Sequence, residues 1–156
     1  MTNTIRARDI MVTKLITLSP DMKLLDAAKR LFKNSISGAP VVDQSGNLIG
    51  VFSEKDVMSA LINAVYNEFP SVEVSSYMSR NLQTITENAD LLTIAQIFQR
   101  NDFRRLPVVR DQKLVGQISR RDVMESVVNL LEPAEDHKTA VLYLSALRAS
   151  NEMPLE

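Results

Sequence analysis

The stretch GVFSEKD at residues 50–56 returns as GQISRRD at residues 116–122, and this pair of strings decides how the chain is organised. Each string opens with a glycine in a β-prone apolar run and then places a serine three residues before an aspartate. A serine followed three residues later by an acid resembles a capping box at the start of a helix. Each string therefore predicts a strand that runs directly into a helix.

The similarity extends over most of the chain as an internal repeat. Residues 11–42 match residues 78–109 at a constant offset of 67, and the offset falls to 66 after a turn that is one residue shorter in the second copy. Met11 and Met78 occupy the same position in the two copies, and so do Pro40 and Pro107. Self-similarity of this kind indicates one supersecondary unit used twice.

The first copy shows which elements the unit contains. Residues 15–18 form a short β-prone segment, and Ser19-Pro20 is a favourable helix start, with serine as the N-cap and proline in the first turn. Residues 39–42 and 48–52 flank a Gly-Asn turn and predict an antiparallel hairpin, and a second helix begins after Ser53. The predicted order is strand, helix, strand, strand, helix, twice.

A further helix is predicted after the repeats. Residues 138–149 are good helix formers but apolar nearly all round, and a helix of that kind needs a partner surface. Two placements stay open. The helix either folds back on its own domain or forms a contact in a dimer.

The composition limits the classes of partner. Apolar residues make up 45% of the chain, and 18 basic and 19 acidic residues leave a net charge of −1. That balance gives no electrostatic reason to expect a nucleic acid or an anionic membrane as the main partner. The sequence lacks a signal peptide and an apolar run of about 18 residues, so we expect a soluble, cytoplasmic protein with no membrane insertion.

The residue inventory also argues against catalysis. The chain has no cysteine, and its single histidine, His137, lies outside both repeats. No thiolate nucleophile and no imidazole base are therefore expected within the repeats. The four glycines form neither a P-loop nor a dinucleotide fingerprint. We expect no catalytic residues, no enzyme activity and no structural metal.

The serine and aspartate at each helix start have two interpretations. In the first, they cap the helix and do nothing more. In the second, exposed amides at the helix N-terminus attract a phosphate while the aspartate accepts both hydroxyls of a ribose, so that the pair binds a nucleoside phosphate.

The two repeats differ in charge. Residues 100–121 carry seven basic and two acidic residues, a net charge of +5, whereas the matching residues 33–55 have a net charge of zero. The planar guanidinium of arginine donates paired hydrogen bonds to phosphate. We therefore predict that the Asp122 motif serves the better phosphate-binding cleft. A solvated basic face and an acidic protein partner are the alternatives.

The ordered set of motifs resembles the CBS domain. It comprises Met11 with residues 15–20, SGAPVVD at residues 37–43 and GVFSEKDV at residues 50–57, and the second copy follows the same order, so that the resemblance covers residues 7–130. It implies an α/β fold of two tandem β-α-β-β-α repeats packed as a pseudo-twofold pair, plus the C-terminal helix. The expected boundaries are 7–66 and 74–131 for the domains, 67–73 for the linker and 132–156 for the C-terminal extension.

The resemblance also implies a ligand, because the clefts of such pairs commonly hold AMP, ADP, ATP or S-adenosylmethionine. By motif position Asp56 and Asp122 would hold ribose, and Ser53 and Ser119 would lie near ribose or phosphate. The residues implied to line the adenine pockets are Ile16, Thr17, Gly38, Ala39, Gln83, Thr84, Leu106 and Pro107. The arginines that the charge asymmetry places near phosphate are Arg104, Arg105, Arg120 and Arg121.

The resulting expectation is a non-catalytic regulatory module for energy sensing. It would dimerise, bind an adenine nucleotide, and signal by conformational change to a separate protein effector of unknown identity. The alternatives are a ligand-independent dimerisation or interaction module and an S-adenosylmethionine sensor.

Overall fold

Two strand hairpins, each followed by a helix, are the recurring feature of the structure, a computed structural model that describes residues 4–67, 73–132 and 137–152. Most of the predicted linker, residues 68–72, and residues 133–136 of the predicted extension lie outside the described residues. The elements of the first part are α1 (Ala7–Ile10), α2 (Leu24–Lys33), β1 (Gly38–Val42), β2 (Leu48–Ser53), α3 (Glu54–Tyr66) and a short 3-10 helix (Val74–Ser76). Those of the second are β3 (Ile85–Thr86), α4 (Leu91–Arg100), β4 (Arg105–Arg110), β5 (Lys113–Ser119), α5 (Arg120–Leu131) and α6 (His137–Glu152). The α/β class, the two hairpins and the C-terminal helix are confirmed.

The hairpin turns explain the change of offset between the copies. β1 pairs antiparallel with β2 across a turn at residues 43–47 in which Gly46 has a φ of 85°. β4 and β5 instead join through Asp111 and Gln112, whose φ values of 50° and 70° are those of a tight two-residue hairpin turn. The β4–β5 turn places two residues in the left-handed region of backbone conformation. It accounts for the one residue that the second copy lacks in this turn.

The predicted start of the first helix at Ser19-Pro20 is wrong. Residues 19–22 form a turn, and α2 begins at Leu24. The backbone just before α2 forms hydrogen bonds with a distant segment of the chain. The carbonyl oxygens of Pro20 and Met22 accept the amides of residues 75 and 74 at 2.9 and 3.0 Å. This long-range pairing outweighs the local helix signal. The strand predicted at residues 15–18 is likewise reduced to one parallel bridge between Leu18 and Val41.

The chain divides into two compact units, and neither consists of one sequence repeat alone. The repeat-1 unit comprises Lys14–Gln83 and Val109–Leu114. The repeat-2 unit comprises Met1–Thr13, Thr84–Val108 and Val115–Glu156. Each has its own apolar core. The core of the repeat-1 unit contains Leu18, Leu31, Val41, Phe52, Val74 and Met78, and that of the repeat-2 unit contains Ala7, Leu91, Ile94, Leu106, Ile118 and Val123.

The first residues of each repeat pack in the unit of the other repeat. In the repeat-2 unit, Val12 exchanges two backbone hydrogen bonds of 2.9 and 3.0 Å with Gln117. In the repeat-1 unit, Ser79 exchanges two hydrogen bonds of 2.9 and 3.0 Å with Val51. We call residues 11–13 and 78–80 the leaders. They form equivalent contacts beside β5 and β2, the strands that end at the two serines.

α6 contacts α4 of its own chain, as the fold-back placement requires. Leu147 is buried, and the Tyr143 hydroxyl is buried without a hydrogen-bond partner among the described residues. Burial raises the pKa of Tyr143. Val141, Leu142 and Leu144 on the same helix remain more than half exposed.

Candidate functional site

The junction of β2 and α3 is the first half-site. Ser53 is the N-cap of α3, and Asp56 is the third residue of that helix. Oδ2 of Asp56 accepts the Ser53 amide at 2.8 Å and the Ser53 hydroxyl at 3.2 Å. The first amide of the helix, that of Glu54, donates to the Ser37 carbonyl at 2.9 Å. The predicted transition from strand to helix is confirmed here.

The junction of β5 and α5 repeats this geometry with shorter distances. Oδ2 of Asp122 accepts the Ser119 amide at 2.7 Å and the Ser119 hydroxyl at 2.9 Å. The Asp122 amide in turn lies 3.2 Å from the Ser119 Oγ, which completes a capping box.

Each aspartate uses only one of its oxygens for the cap. Among the described residues, no hydrogen bond reaches Oδ1 of Asp56 or of Asp122. Both side chains are half-buried. Both motifs cap their helices, and the cap leaves one carboxylate oxygen of each aspartate as a potential acceptor for a ligand hydroxyl.

The first-repeat residues that the resemblance implies for an adenine pocket gather at one end of β1. Gly38 is opposite Ser53 in the hairpin register, and a Cβ built on Gly38 would lie 3.1 Å from the Phe52 carbonyl oxygen. Residues 17–18 run beside β1, where the Arg30 guanidinium donates to the Thr17 carbonyl at 3.0 Å. Thr17 and its neighbour Ile16 are half-buried. Ala39 is only 2% exposed and is opposite Phe52 in the hairpin.

The corresponding residues of the second repeat lie in β4 or just before β3. Thr84 directly precedes β3, which pairs with β4. Leu106 and Pro107 in β4 are buried. Gln83 belongs to the repeat-1 unit and Thr84 to the repeat-2 unit.

The structure separates the members of the basic cluster. Arg104 and Arg121 are exposed and Arg105 is half-buried at the start of β4. Arg120 instead turns towards the end of α4, where its Nη2 donates to the Asn101 carbonyl at 2.9 Å. Arg110 and Lys113 lie at the β4–β5 turn, and Lys113 forms a bridge with Asn47 in the repeat-1 unit.

Arg120 lines a cavity of about 460 Å³ within the repeat-2 unit. Neither Ser119 nor Asp122 lines it. The other lining residues are Ala95, Phe98, Gln99, Asn101, Asp102 and Val123. Sequence reasoning did not single them out, because an apolar helix face followed by polar residues is the ordinary pattern of a helix end.

Asp43, a carboxylate whose pKa is shifted, lies outside both half-sites. The amide of Asn47, helped by that of Ser45, lowers the pKa of Asp43, whose Oδ1 accepts both amides at 2.9 Å in the β1–β2 turn. Within the part of the chain that the structure describes, no three His, Asp or Glu side chains gather as metal ligands. The helices of that part include none with the length and apolar character needed to cross a membrane.

Comparison with known proteins gives matches in agreement with this architecture. The family model of the CBS domain matches residues 7–63 and 74–129. The uncharacterized protein MJ1225 of Methanocaldococcus jannaschii is 33% identical over 119 residues. The match covers 76% of this chain but spans only 41% of MJ1225.

Solved structures of similar fold include two with ligands. The crystal structure of CBSX2 from Arabidopsis thaliana in complex with AMP superposes with a TM-score of 0.72 and 25% identity, over 80% of this chain and 97% of that one. The CBS domain pair of MJ0100, in complex with 5′-methylthioadenosine and S-adenosyl-L-methionine, gives a TM-score of 0.68 and 25% identity, over 81% and 98% of the two chains.

Proposed function

The chain belongs to the CBS domain family, and we propose that it is a non-catalytic regulatory module that binds AMP, ADP or ATP. Its Ser-x-x-Asp motifs would hold the ribose of the nucleotide. Nucleotide binding would shift the populations of two arrangements of the chain, which requires that the ligand have different affinities for them. A separate protein effector would read the change.

The observation that carries the proposal is the unused oxygen of each motif aspartate. Ser119 fixes Oδ2 of Asp122 from two sides at 2.7 and 2.9 Å, which leaves Oδ1 in a defined position. A carboxylate held in this way is preorganised to accept a ribose hydroxyl at little further cost in side-chain entropy. Similar proteins bound to AMP, 5′-methylthioadenosine and S-adenosylmethionine support adenosine as the common group.

The charges favour a nucleotide over S-adenosylmethionine at the Asp122 motif. Arg121 lies within this motif, Arg104 and Arg105 precede the hairpin that leads to it, and arginine binds phosphate oxygens in pairs. S-adenosylmethionine has no phosphate and carries a sulfonium cation. The Asp56 motif has no such excess of positive charge, so we propose the Asp122 motif as the main phosphate site.

We further propose that the module acts as a homodimer. The exposed apolar residues of α3 and α6 support self-association. The alternative to a nucleotide-binding module is an interaction module that acts without a ligand. The following test distinguishes these two functions.

The test is thermal unfolding of the full chain with AMP, ADP, ATP, S-adenosylmethionine and GTP. A ligand at about 100 times its Kd adds about 2.7 kcal/mol, a shift of several degrees for a chain of this size. We expect adenine nucleotides to raise the Tm, and Asp122→Ala to abolish most of the shift. The absence of a shift with any ligand would refute nucleotide binding and favour the interaction module.

Asp90→Ala is the matched control. Asp90 caps α4 through its side chain, which accepts the Thr93 amide at 2.8 Å, and it belongs to neither motif. Both substitutions remove a helix cap, which costs about 1 kcal/mol. Only Asp122→Ala should also remove the shift caused by the nucleotide, measured from the Tm of each variant without ligand.

A further inference from the structure

The cavity of about 460 Å³ within the repeat-2 unit has a composition that suits a second ligand. Residues of α4, of the segment after α4 and of α5 line it. Two of them, Phe98 and Val123, belong to the buried apolar core of the unit and give the cavity an apolar floor. Small-molecule sites are typically cavities of about 300–1,000 Å³ with mostly apolar walls and a few polar groups. The size and the floor of this cavity are those of such a site.

Two exposed side chains of opposite charge line the same cavity. Asp102 lies just beyond the end of α4, and Arg120 is the first residue of α5. Among the described residues, the guanidinium of Arg120 donates to the Asn101 carbonyl, and no hydrogen bond joins it to the carboxylate of Asp102. The cation and the anion are therefore both available to a ligand that carries both charges.

The hydrogen bond to Asn101 holds Arg120 at the cavity. Nη2 of Arg120 donates to the Asn101 carbonyl at 2.9 Å, and the Asn101 side chain is itself fixed, because its Nδ2 donates to the Ile97 carbonyl at 2.9 Å. A guanidinium has five N–H donors, so most of them remain for a ligand, and they bind a carboxylate in pairs. An arginine that is already oriented binds a carboxylate at a lower cost in side-chain entropy.

The two helix ends add to the charges of these side chains. The carboxyl end of α4 carries a partial negative charge, which favours a cation beside Asp102. The amino end of α5 carries a partial positive charge, which favours an anion beside Arg120. A ligand with an ammonium, a carboxylate and an apolar group matches both ends and the floor. An apolar α-amino acid carries these three groups on a single carbon atom.

The first repeat shows which parts of the cavity the fold itself requires. At the offsets of the repeat, the two apolar floor positions are occupied by Leu31 and Val57, so their apolar character is kept. The equivalent of the cavity's anion is Ser35, and the equivalent of its cation is Glu54. The same supersecondary unit therefore forms without the two charges, which indicates that they serve a ligand rather than the fold.

We propose that this cavity binds a free apolar α-amino acid. Arg120 holds the α-carboxylate, Asp102 holds the α-ammonium, and the amino acid side chain packs on Phe98 and Val123. This inference adds a second class of ligand to the nucleotide of the proposed function and does not depend on nucleotide binding.

The first experiment is isothermal titration calorimetry of the full chain with L-leucine, L-methionine and L-phenylalanine. Each amino acid is compared with the amine that lacks its carboxylate and with the acid that lacks its ammonium, such as phenethylamine and 3-phenylpropanoate for L-phenylalanine. We expect at least one of the amino acids to bind. Its two analogues should bind at least tenfold more weakly, because each loses one set of charge-assisted hydrogen bonds.

The second experiment repeats the titration with Asp102→Ser and Arg120→Glu. Both variants carry the residue that the first repeat has at the equivalent position, so circular dichroism should show that they fold. Each should weaken the binding of the amino acid at least tenfold. Arg100→Glu is the matched control, since it makes the same change of charge at the end of α4 but outside the lining of the cavity, and it should leave the affinity unchanged.

The outcomes separate this inference from the proposed function. If none of the three amino acids binds, or if the analogues bind as well as the amino acids, the inference is wrong. Binding that neither Asp102→Ser nor Arg120→Glu weakens would place the amino acid elsewhere and overturn it as well. Nucleotide binding is read independently from the Tm shift that AMP causes, which Asp102→Ser should retain.

Discussion

Gly116→Ala should destabilise the chain through its contact with the first leader. A Cβ at position 116 would lie 2.5 Å from Sδ, 2.8 Å from Cγ and 3.1 Å from Cβ of Met11. Rotation of the methionine side chain cannot relieve all three contacts. The backbone of Met11 is held as well, because its amide donates to the Ala7 carbonyl at 2.8 Å and the next residue pairs with Gln117.

The magnitude follows from two opposing terms. Overpacking an occupied site costs about 1–3 kcal/mol. Alanine in place of glycine also reduces the entropy of the unfolded chain, which offsets about 0.4–1 kcal/mol of that cost. The expected loss is about 1–2 kcal/mol, which lowers the Tm by about 2–8 °C for a chain of this length.

The assay is urea unfolding of the wild type, Gly116→Ala, Met11→Ala and the double variant. If the methyl group and the methionine compete for the same space, the double variant should be more stable than the sum of the single effects predicts, by about 1 kcal/mol. Additive effects, or a Gly116→Ala variant as stable as the wild type, would show that the leader is not packed against β5 as described.

Three further changes have definite expected outcomes. The pKa of Asp43 is lowered in the folded chain, so its carboxylate stabilises the fold at pH values above the unfolded pKa of about 3.9. This stabilisation is lost as the pH falls through the pKa of the folded state. The Tm difference between wild type and Asp43→Ala should therefore shrink on acidification below about pH 4. A fragment of residues 14–83, which retains the leader Met78–Arg80, should unfold more cooperatively by circular dichroism than a fragment of residues 7–73, which lacks it. Gln112→Gly should raise the stability in urea by about 1 kcal/mol, since Gln112 has a φ of 70° and glycine adopts that region without strain; an unchanged or lower stability would contradict the turn conformation.

The sequence was most informative where the deciding contacts are local. The starts of α3 and α5 were predicted correctly because a serine and an aspartate three residues apart form the cap themselves. The hairpins were predicted for the same reason, since their turns join neighbouring strands.

Features that depend on distant residues were not predictable from the pattern. α2 begins at Leu24 rather than at the predicted Pro20 because residues 73–75 pair with the backbone of residues 20–23. The crossed placement of the leaders depends on the fit of Met11 and Met78 against Gly116 and Gly50, which no periodicity encodes. Similarly, the charge count of the second repeat gave no sign that Arg120 turns away to Asn101.

The two interpretations of the Ser-x-x-Asp motif, as a helix cap and as a ligand site, are compatible because each can use a different carboxylate oxygen. A cap that used both carboxylate oxygens would leave no acceptor for a ligand, and an aspartate without a cap would have to be ordered when the ligand binds. In this chain Ser119 orients Asp122 through Oδ2 at 2.7 and 2.9 Å, and Oδ1 is the oxygen that would accept the ribose hydroxyl of the proposed ligand. The helix cap thus supplies the preorganisation that nucleotide binding requires. Both roles select the same residues, so the presence of the motif alone cannot separate them. The two half-sites therefore differ in the net charge of the sequence that precedes them, +5 over residues 100–121 and zero over residues 33–55, rather than in the motif itself.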